Sequence, residues 1–281
     1  KKIEERTNGR VKIEIFHSKQ LFGGKEEFSA LERGDIDMSA PMDTYNTGAV
    51  PELGIASMPF LWPNPRAMQK SLDAGLWDLG INQAMEKRGV KVLNTAAGGP
   101  YQLYGKGFNI RKPSDLKGKK IAVSGSAASR AMELIGASPT SMSSGDLYIA
   151  LQRGAIDATS RPLITGIGRK LYEVLDNITV VNMSYFSTAL AINLKTWNKL
   201  PKDIQEIFQQ AANERGQEQL ALLEAYMNDA KGLFEKNNVN YHLANAEELA
   251  VFQDAVAPVY DWWKGEVGDG ERYIEFAKKN Q

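Results

Sequence analysis

The chain has 281 residues, with 34 Lys+Arg balanced by 34 Asp+Glu, two His and no Cys. That length suggests about two domains or subdomains, and 43% apolar with 24% charged residues is an ordinary globular balance that excludes wholesale disorder. A net charge of +0 supplies no global field for a polyanion, which argues against sequence-independent nucleic-acid binding; the lack of Cys removes disulfides, thiolate metal sites, Fe–S ligation and Cys nucleophiles together.

No apolar run reaches the ~18–20 residues of a membrane span. The opening residues carry no signal-peptide pattern. Lys1 to Arg6 read as the last turns of an amphipathic helix ended by Thr7-Asn8-Gly9, so an upstream strand and an export signal are expected outside this sequence. Val11 to Phe16 alternate as a half-buried strand, a loop covers 18–24, and 25–33 read as a helix with Phe28 and Leu31 on one face and Gly34 as its cap. A short strand follows at 36–39, then irregular chain to Pro63, a long helix carrying Met68, Leu72, Leu76 and Leu79, and a strand at 90–93. A new unit starts at Pro113: strand 120–123, helix 126–135 closed by Gly136, helix 145–153, strand 155–159, and a helix from Pro162 to about 175. Residues 178–195 read as strands, Pro201 opens a helix that extends to Asn237, and helices around 246–263 and 271–279 close the chain.

Ala30-Leu31-Glu32-Arg33-Gly34-Asp35-Ile36-Asp37 recurs as Ala150-Leu151-Gln152-Arg153-Gly154-Ala155-Ile156-Asp157, with six of eight positions identical. Each copy is a helix end, a Gly cap and a short strand, and each follows a strand with basic flanks. The pattern implies two αβ units of similar plan, each building its own parallel sheet, and two lobes with a cleft between them commonly house a small ligand. Asp37 and Asp157 recur with the repeat, which gives them a shared structural task.

With these residues in order, the chain resembles the solute-binding proteins of tripartite ATP-independent periplasmic (TRAP) transporters, of the dicarboxylate-binding type. The matching pieces are Thr7-Asn8-Gly9-Arg10-Val11, Gly34-Asp35-Ile36-Asp37, Met58-Pro59-Phe60-Leu61, Asp115-Leu116-Lys117-Gly118, Gly136-Ala137-Ser138-Pro139-Thr140, the second repeat copy, and Asn193 with Trp197 and Leu200-Pro201. The resemblance implies an α/β, two-lobed clamshell with crossing strands and a long helix spanning both lobes. Its lobe I would comprise 1–97 plus part of the C-terminal region and its lobe II mostly 98–195, with 201–237 as the lobe-spanning helix and 238–281 as C-terminal helices. It implies an extracytoplasmic, periplasmic protein that captures a small organic solute and hands it to membrane TRAP subunits. No cofactor, no metal and no nucleic acid are implied, and a monomer is expected.

Members of that family usually hold a ligand carboxylate with an Arg in a Lys-X-Arg-Val strand, because a planar guanidinium forms bidentate, charge-assisted hydrogen bonds. Here the strand reads Lys120-Ile121-Ala122-Val123, and Gln102 stands where some members have a second Arg. A substitute lies in Ala158-Thr159-Ser160-Arg161-Pro162, where Arg161 occupies a position that is often Asn in relatives. The resemblance adds Trp62, Tyr101, Tyr185 and Phe186 as aromatic cleft walls. It adds Asp43 and Tyr45 as polar contacts after the first lobe's strand, and Ser144 as a small residue where an aromatic is common. The expected ligand is a carboxylate or other small organic anion held by Arg161; a neutral or zwitterionic solute, and a ligand-dependent sensory role, are the alternatives. An enzyme on this scaffold is disfavoured: Asp35 and Asp37 offer a carboxylate pair for acid–base chemistry, but no nucleophile or metal set accompanies them, and His17 and His242 read as surface or turn residues.

Overall fold

The computed structural model describes residues 1–281 apart from the side chain of Gln217. Nine strands are formed among them: β1 (Met38–Ser39), β2 (Val90–Ala97), β3 (Tyr101–Gly105), β4 (Lys120–Val123), β5 (Ser138–Ser141), β6 (Ala158–Pro162), β7 (Asn177–Val180), β8 (Ser187–Asn193) and β9 (Asn240–Leu243). One sheet runs β1-β8-β2 and is antiparallel; the other runs β5-β4-β6-β3-β7-β9. In the larger sheet β4 is parallel to β5 and β6, β7 is parallel to β9, and β3 is antiparallel to both its neighbours. Every residue of β3 and β6 is buried, as expected of central strands covered on both faces.

Each sheet anchors one lobe; the chain crosses between the two sheets three times, and after β9 its last helix, Gly270–Lys279, returns to pack on Pro65–Asp73 and Leu76–Leu79 of the first lobe. β2 leads into β3 through Gly98-Gly99-Pro100, and β7 returns to β8 through 181–186. The two crossings bind each other: Gly98 N–H donates to the Phe186 carbonyl at 2.6 Å, Tyr101 N–H to Ser184 at 2.8 Å, and Met183 N–H to Tyr101 at 3.1 Å. Glycine is required at 98 because a Cβ there would meet the Phe186 ring at 2.3 Å. The third crossing is the helix Lys202–Met227, whose 26 residues extend ~39 Å at 1.5 Å each. Its first half buries Ile204, Phe208 and Ala212 against Leu93 and Ile192. Near its far end Leu223 and Met227 close on Gly99, and Met227 also packs on the second lobe's core.

The repeat is structural. Gly34 (φ 82) and Gly154 (φ 69) both turn the chain in the left-handed region that Gly adopts without strain. Asp157 accepts from the Lys120 N–H at 2.8 Å, and Asp37 accepts from the Thr196 hydroxyl at 2.8 Å. Only the second copy enters a parallel ladder; in the first, β1 pairs antiparallel with β8.

Several elements differ from the sequence expectation. Residues 11–16 form no ladder: Ile15 is 77% and Phe16 50% exposed, since alternation marks a face but a strand also needs a neighbouring backbone. The helix expected through Leu79 ends at Asp73, because Gly75 (φ 99) turns the chain; Leu76–Leu79 is a 3₁₀ turn and Ile81–Lys87 a separate helix. Pro162 ends β6 instead of opening the helix, which covers only Leu163–Gly168. The long helix stops at Met227, and a turn at 228–229 starts a separate helix, Ala230–Lys236, which buries Ala230 and Phe234 in the second lobe. Pro258 divides the expected 246–263 helix into Ala246–Val256 and Val259–Val267. The edge strands β5 and β9 carry little apolar patterning; Pro139 in β5 is tolerated because an edge leaves its missing N–H unneeded.

Candidate functional site

Parallel strands β4, β5 and β6 end together, and in open α/β sheets ligands gather outside such carboxyl ends. Arg161, the penultimate residue of β6, fills this place. It lies two residues beyond Thr159, the ladder partner of Ala122, so it shares the face on which Ala122 stands. Its guanidinium is 1% exposed. Nη1 donates to the Ser160 carbonyl at 2.8 Å, and Nη2 to the carbonyls of Val123 at 3.0 Å and Met142 at 2.6 Å. Those three carbonyls fix the fork but do not neutralise it: among the described residues no carboxylate lies within 4 Å, and Nε is buried without a partner. Burial pulls the guanidinium's pKa down, while the Tyr101, Tyr45 and Tyr104 phenols around it favour the charged form. A buried, unpaired cation is costly, with an effective penalty of several kcal/mol, and an anion supplied from outside is the chemical complement of such a group.

The first lobe brings the opposing wall. Asp43 opens the short helix Asp43–Asn46 and is 1% exposed. Its Oδ1 accepts from the Thr44 N–H at 2.5 Å, and Oδ2 accepts from the Ser187 N–H at 2.5 Å and the Ser187 hydroxyl at 2.7 Å. Burial raises its pKa to about 7, against the opposing pull of those three hydrogen bonds. Thr44 is 2% exposed and its hydroxyl has no hydrogen-bond partner among the described residues. Tyr101 stands between the walls, its phenol 2.9 Å from Ser124 Oγ, beside the Thr44 side chain and within electrostatic reach of Arg161 and Asp43; burial pushes its pKa up to about 12.

The lobes meet around these groups. Tyr45 Oη lies 3.0 Å from Ser144 Oγ and accepts from the Ser144 N–H at 3.0 Å. Ser126 N–H donates to Thr47 Oγ1 at 3.2 Å, and Gly125 lies so close to Thr44 that a Cβ would sit 3.2 Å from the Thr44 carbonyl. At the rim, Lys25 Nζ donates to Ser141 Oγ and its carbonyl, both at 2.9 Å, and Lys19 pairs with Asp146 at 3.0 Å. Partial burial and the nearby Arg161 charge depress the Lys25 pKa.

Of the residues singled out in the sequence, Arg161, Tyr101, Tyr45, Ser144 and Asp43 come together here. Phe186 lines the crossing behind them, its ring edge-on to Tyr101 at 6.2 Å. Three others are engaged elsewhere. Trp62 is buried in the main core and its indole N–H donates to the Ala56 carbonyl at 3.1 Å. Tyr185 donates to the Pro63 carbonyl at 3.3 Å. Gln102 Oε1 accepts from the N–H groups of Val181 and Asn182, both at 2.9 Å, and Nε2 donates to Asn182 and Pro100, so its amide ties β3 to the return crossing. Thr44, Ser124, Ser187 and Lys25 join the site without having been singled out; small hydroxyls in loops carry no periodic signal, although Thr44 lies between two residues that were.

Comparison with known proteins agrees with this architecture. Residues 1–266 match the family model for bacterial extracellular solute-binding protein, family 7. A C4-dicarboxylate-binding periplasmic protein of Rhodobacter capsulatus is 26% identical over 268 residues, covering 94% of this chain and 80% of its own length. A TRAP periplasmic solute-binding protein of Ralstonia eutropha H16, solved with bound (S)-2-acetolactate, superposes with a TM-score of 0.90 at 30% identity, covering 99% of this chain and 91% of the other. One of Sulfurospirillum deleyianum, solved with succinate, gives 0.92 at 25% identity, covering 100% and 91%. With two lobes, crossing strands and a spanning helix on one side of the argument and a match over residues 1–266 on the other, the chain belongs to family 7 of the bacterial extracellular solute-binding proteins, the DctP family of TRAP transport receptors.

Proposed function

We infer that the cleft captures a small organic carboxylate, that Arg161 receives the carboxylate group, and that the closed, loaded protein delivers it to membrane TRAP subunits in the periplasm. The observation that carries this reading is the 1%-exposed guanidinium, oriented by three main-chain carbonyls, with Nε unpartnered and no carboxylate of the described residues beside it. Tyr101, Tyr45, Ser144 and Asp43 complete the surroundings, with Phe186 as an apolar wall; Trp62, Tyr185 and Gln102 support them from behind. The relatives solved with acetolactate and with succinate fit the same chemical class. The protein acts as a monomer in this reading, and binds without transforming its solute.

Isothermal titration against a panel of small carboxylates tests it. Arg161→Ala should weaken the best ligand by about 1.5–3 kcal/mol, the scale of a hydrogen bond to a charged group, which is roughly ten- to hundredfold. Arg161→Lys should recover only part of this, since an ammonium lacks the planar fork. Unchanged affinity in Arg161→Ala would remove Arg161 as the anchor.

A further inference from the structure

The Arg161 guanidinium's Nε, unlike its Nη atoms, is left without a hydrogen-bond partner, and so is the hydroxyl of Thr44 on the opposite lobe. Both residues are at least nine-tenths buried, and Tyr101 stands within reach of each. A solute whose carboxylate meets Arg161 and which extends past Tyr101 would present its far end to Thr44. The neighbour of Thr44 there is Asp43, whose carboxylate accepts three hydrogen bonds from Thr44 and Ser187 but faces no cation within salt-bridge distance among the described residues. Lys25, within electrostatic reach of Arg161, sits at the rim and is bonded to Ser141 on the other lobe. A second carboxylate at the Thr44 end would be desolvated beside Asp43 with nothing to neutralise it, whereas a carbonyl or hydroxyl there can exchange a hydrogen bond with Thr44 Oγ1.

We propose that Thr44 and Asp43 make the far end of the site selective for a monocarboxylate that carries an uncharged oxygen, a keto or hydroxyl group, over a dicarboxylate. This rests on the reading that Arg161 takes the ligand's carboxylate. Two near-isosteric pairs isolate the effect, because each exchanges only a methyl for an oxyanion: levulinate with succinate, and acetoacetate with malonate. Titrated at about pH 8.5, where Asp43 is ionised, into protein stripped of carried-over ligand by unfolding and refolding, the keto acid of each pair should bind at least about tenfold tighter than its dicarboxylate. Asp43→Asn should narrow that ratio at least about threefold by strengthening dicarboxylate binding. Thr44→Val, whose fold does not depend on the buried acid, should weaken the keto acids at least about threefold and leave the dicarboxylates nearly unchanged. Dicarboxylates binding as tightly as their keto partners, or ratios that move in neither variant, would overturn the proposal while leaving the carboxylate reading intact. Failure of all four acids to bind wild-type protein at 10-millimolar scale would overturn both.

Discussion

Asp43 and Arg161 are opposite cases of a buried ionisable side chain. Arg161 cannot shed its proton in a protein, so its cost persists until an anion meets it. Asp43 can shed or keep its own, and burial holds its pKa at about 7, above the ~3.9 of an unfolded chain. Between those values the folded protein retains a proton that the unfolded chain has released. The stability tied to protonated Asp43 is therefore full below about pH 4 and is lost as pH rises through about 7. Chemical denaturation of wild type and Asp43→Asn from pH 4 to 8.5 should show the wild-type-minus-variant difference falling by a few kcal/mol at most up to about pH 7 and level above it; a difference that is flat throughout would mean Asp43 is not desolvated as described. At this scale the sequence was partly legible. Arg161 was identifiable through the family resemblance, which puts it where relatives often carry Asn, while Ala122 stands where they usually carry the carboxylate-binding Arg. Thr44 was not, because an unpartnered hydroxyl is a property of three-dimensional surroundings and leaves no mark in spacing.

The elements that tie the two lobes together most directly are the two crossing segments. Their mutual hydrogen bonds, from Gly98 to Phe186 and between Tyr101 and the 183–184 backbone, leave no space for a side chain at 98. Gly98→Ala places a methyl 2.3 to 2.4 Å from three ring atoms of Phe186, so ring or backbone must move. Overpacking of this kind costs typically ~1–3 kcal/mol, and urea denaturation should show a loss of that size; pairing it with Phe186→Ala should recover part of the loss if the ring is the obstacle. The rim pair Lys19–Asp146 is exposed on both sides and contributes little to stability, with a median of ~0–1 kcal/mol for such pairs. Elements with strong periodicity, such as the helix Ser126–Ile135, were readable from their apolar spacing and Gly136 cap. Short edge strands were not: Ser138–Ser141 and Asn240–Leu243 are strands because a neighbouring backbone lies beside them, and residues 11–16 are not because none does.

On the scale of the whole molecule, two sheets are joined by paired crossings and a ~39 Å helix, with the proposed binding groups divided between the two lobes. Arg161 and Ser144 belong to one side, and Asp43, Thr44 and Tyr45 to the other, so a bound acid ties the lobes together and should stabilise the protein. At 100 times its dissociation constant a ligand adds ~2.7 kcal/mol, and for this length thermal denaturation should shift upward by roughly 5–10 °C. The two-lobe plan was legible in the repeat at 30–37 and 150–157, which caps a helix and opens a strand in each half. The antiparallel pairing of β1 was not, since helix-to-strand chemistry is the same whichever way the neighbouring strand runs.

The most direct measurement is a crystal structure of the complex with the acid that gives the largest thermal shift. The expected result is a ligand carboxylate oxygen within hydrogen-bond distance of Arg161 Nε, in a cleft closed by the Tyr45–Ser144 contact. A well-ordered ligand whose carboxylate lies away from Arg161, with the guanidinium still bonded only to Ser160, Val123 and Met142, would contradict it.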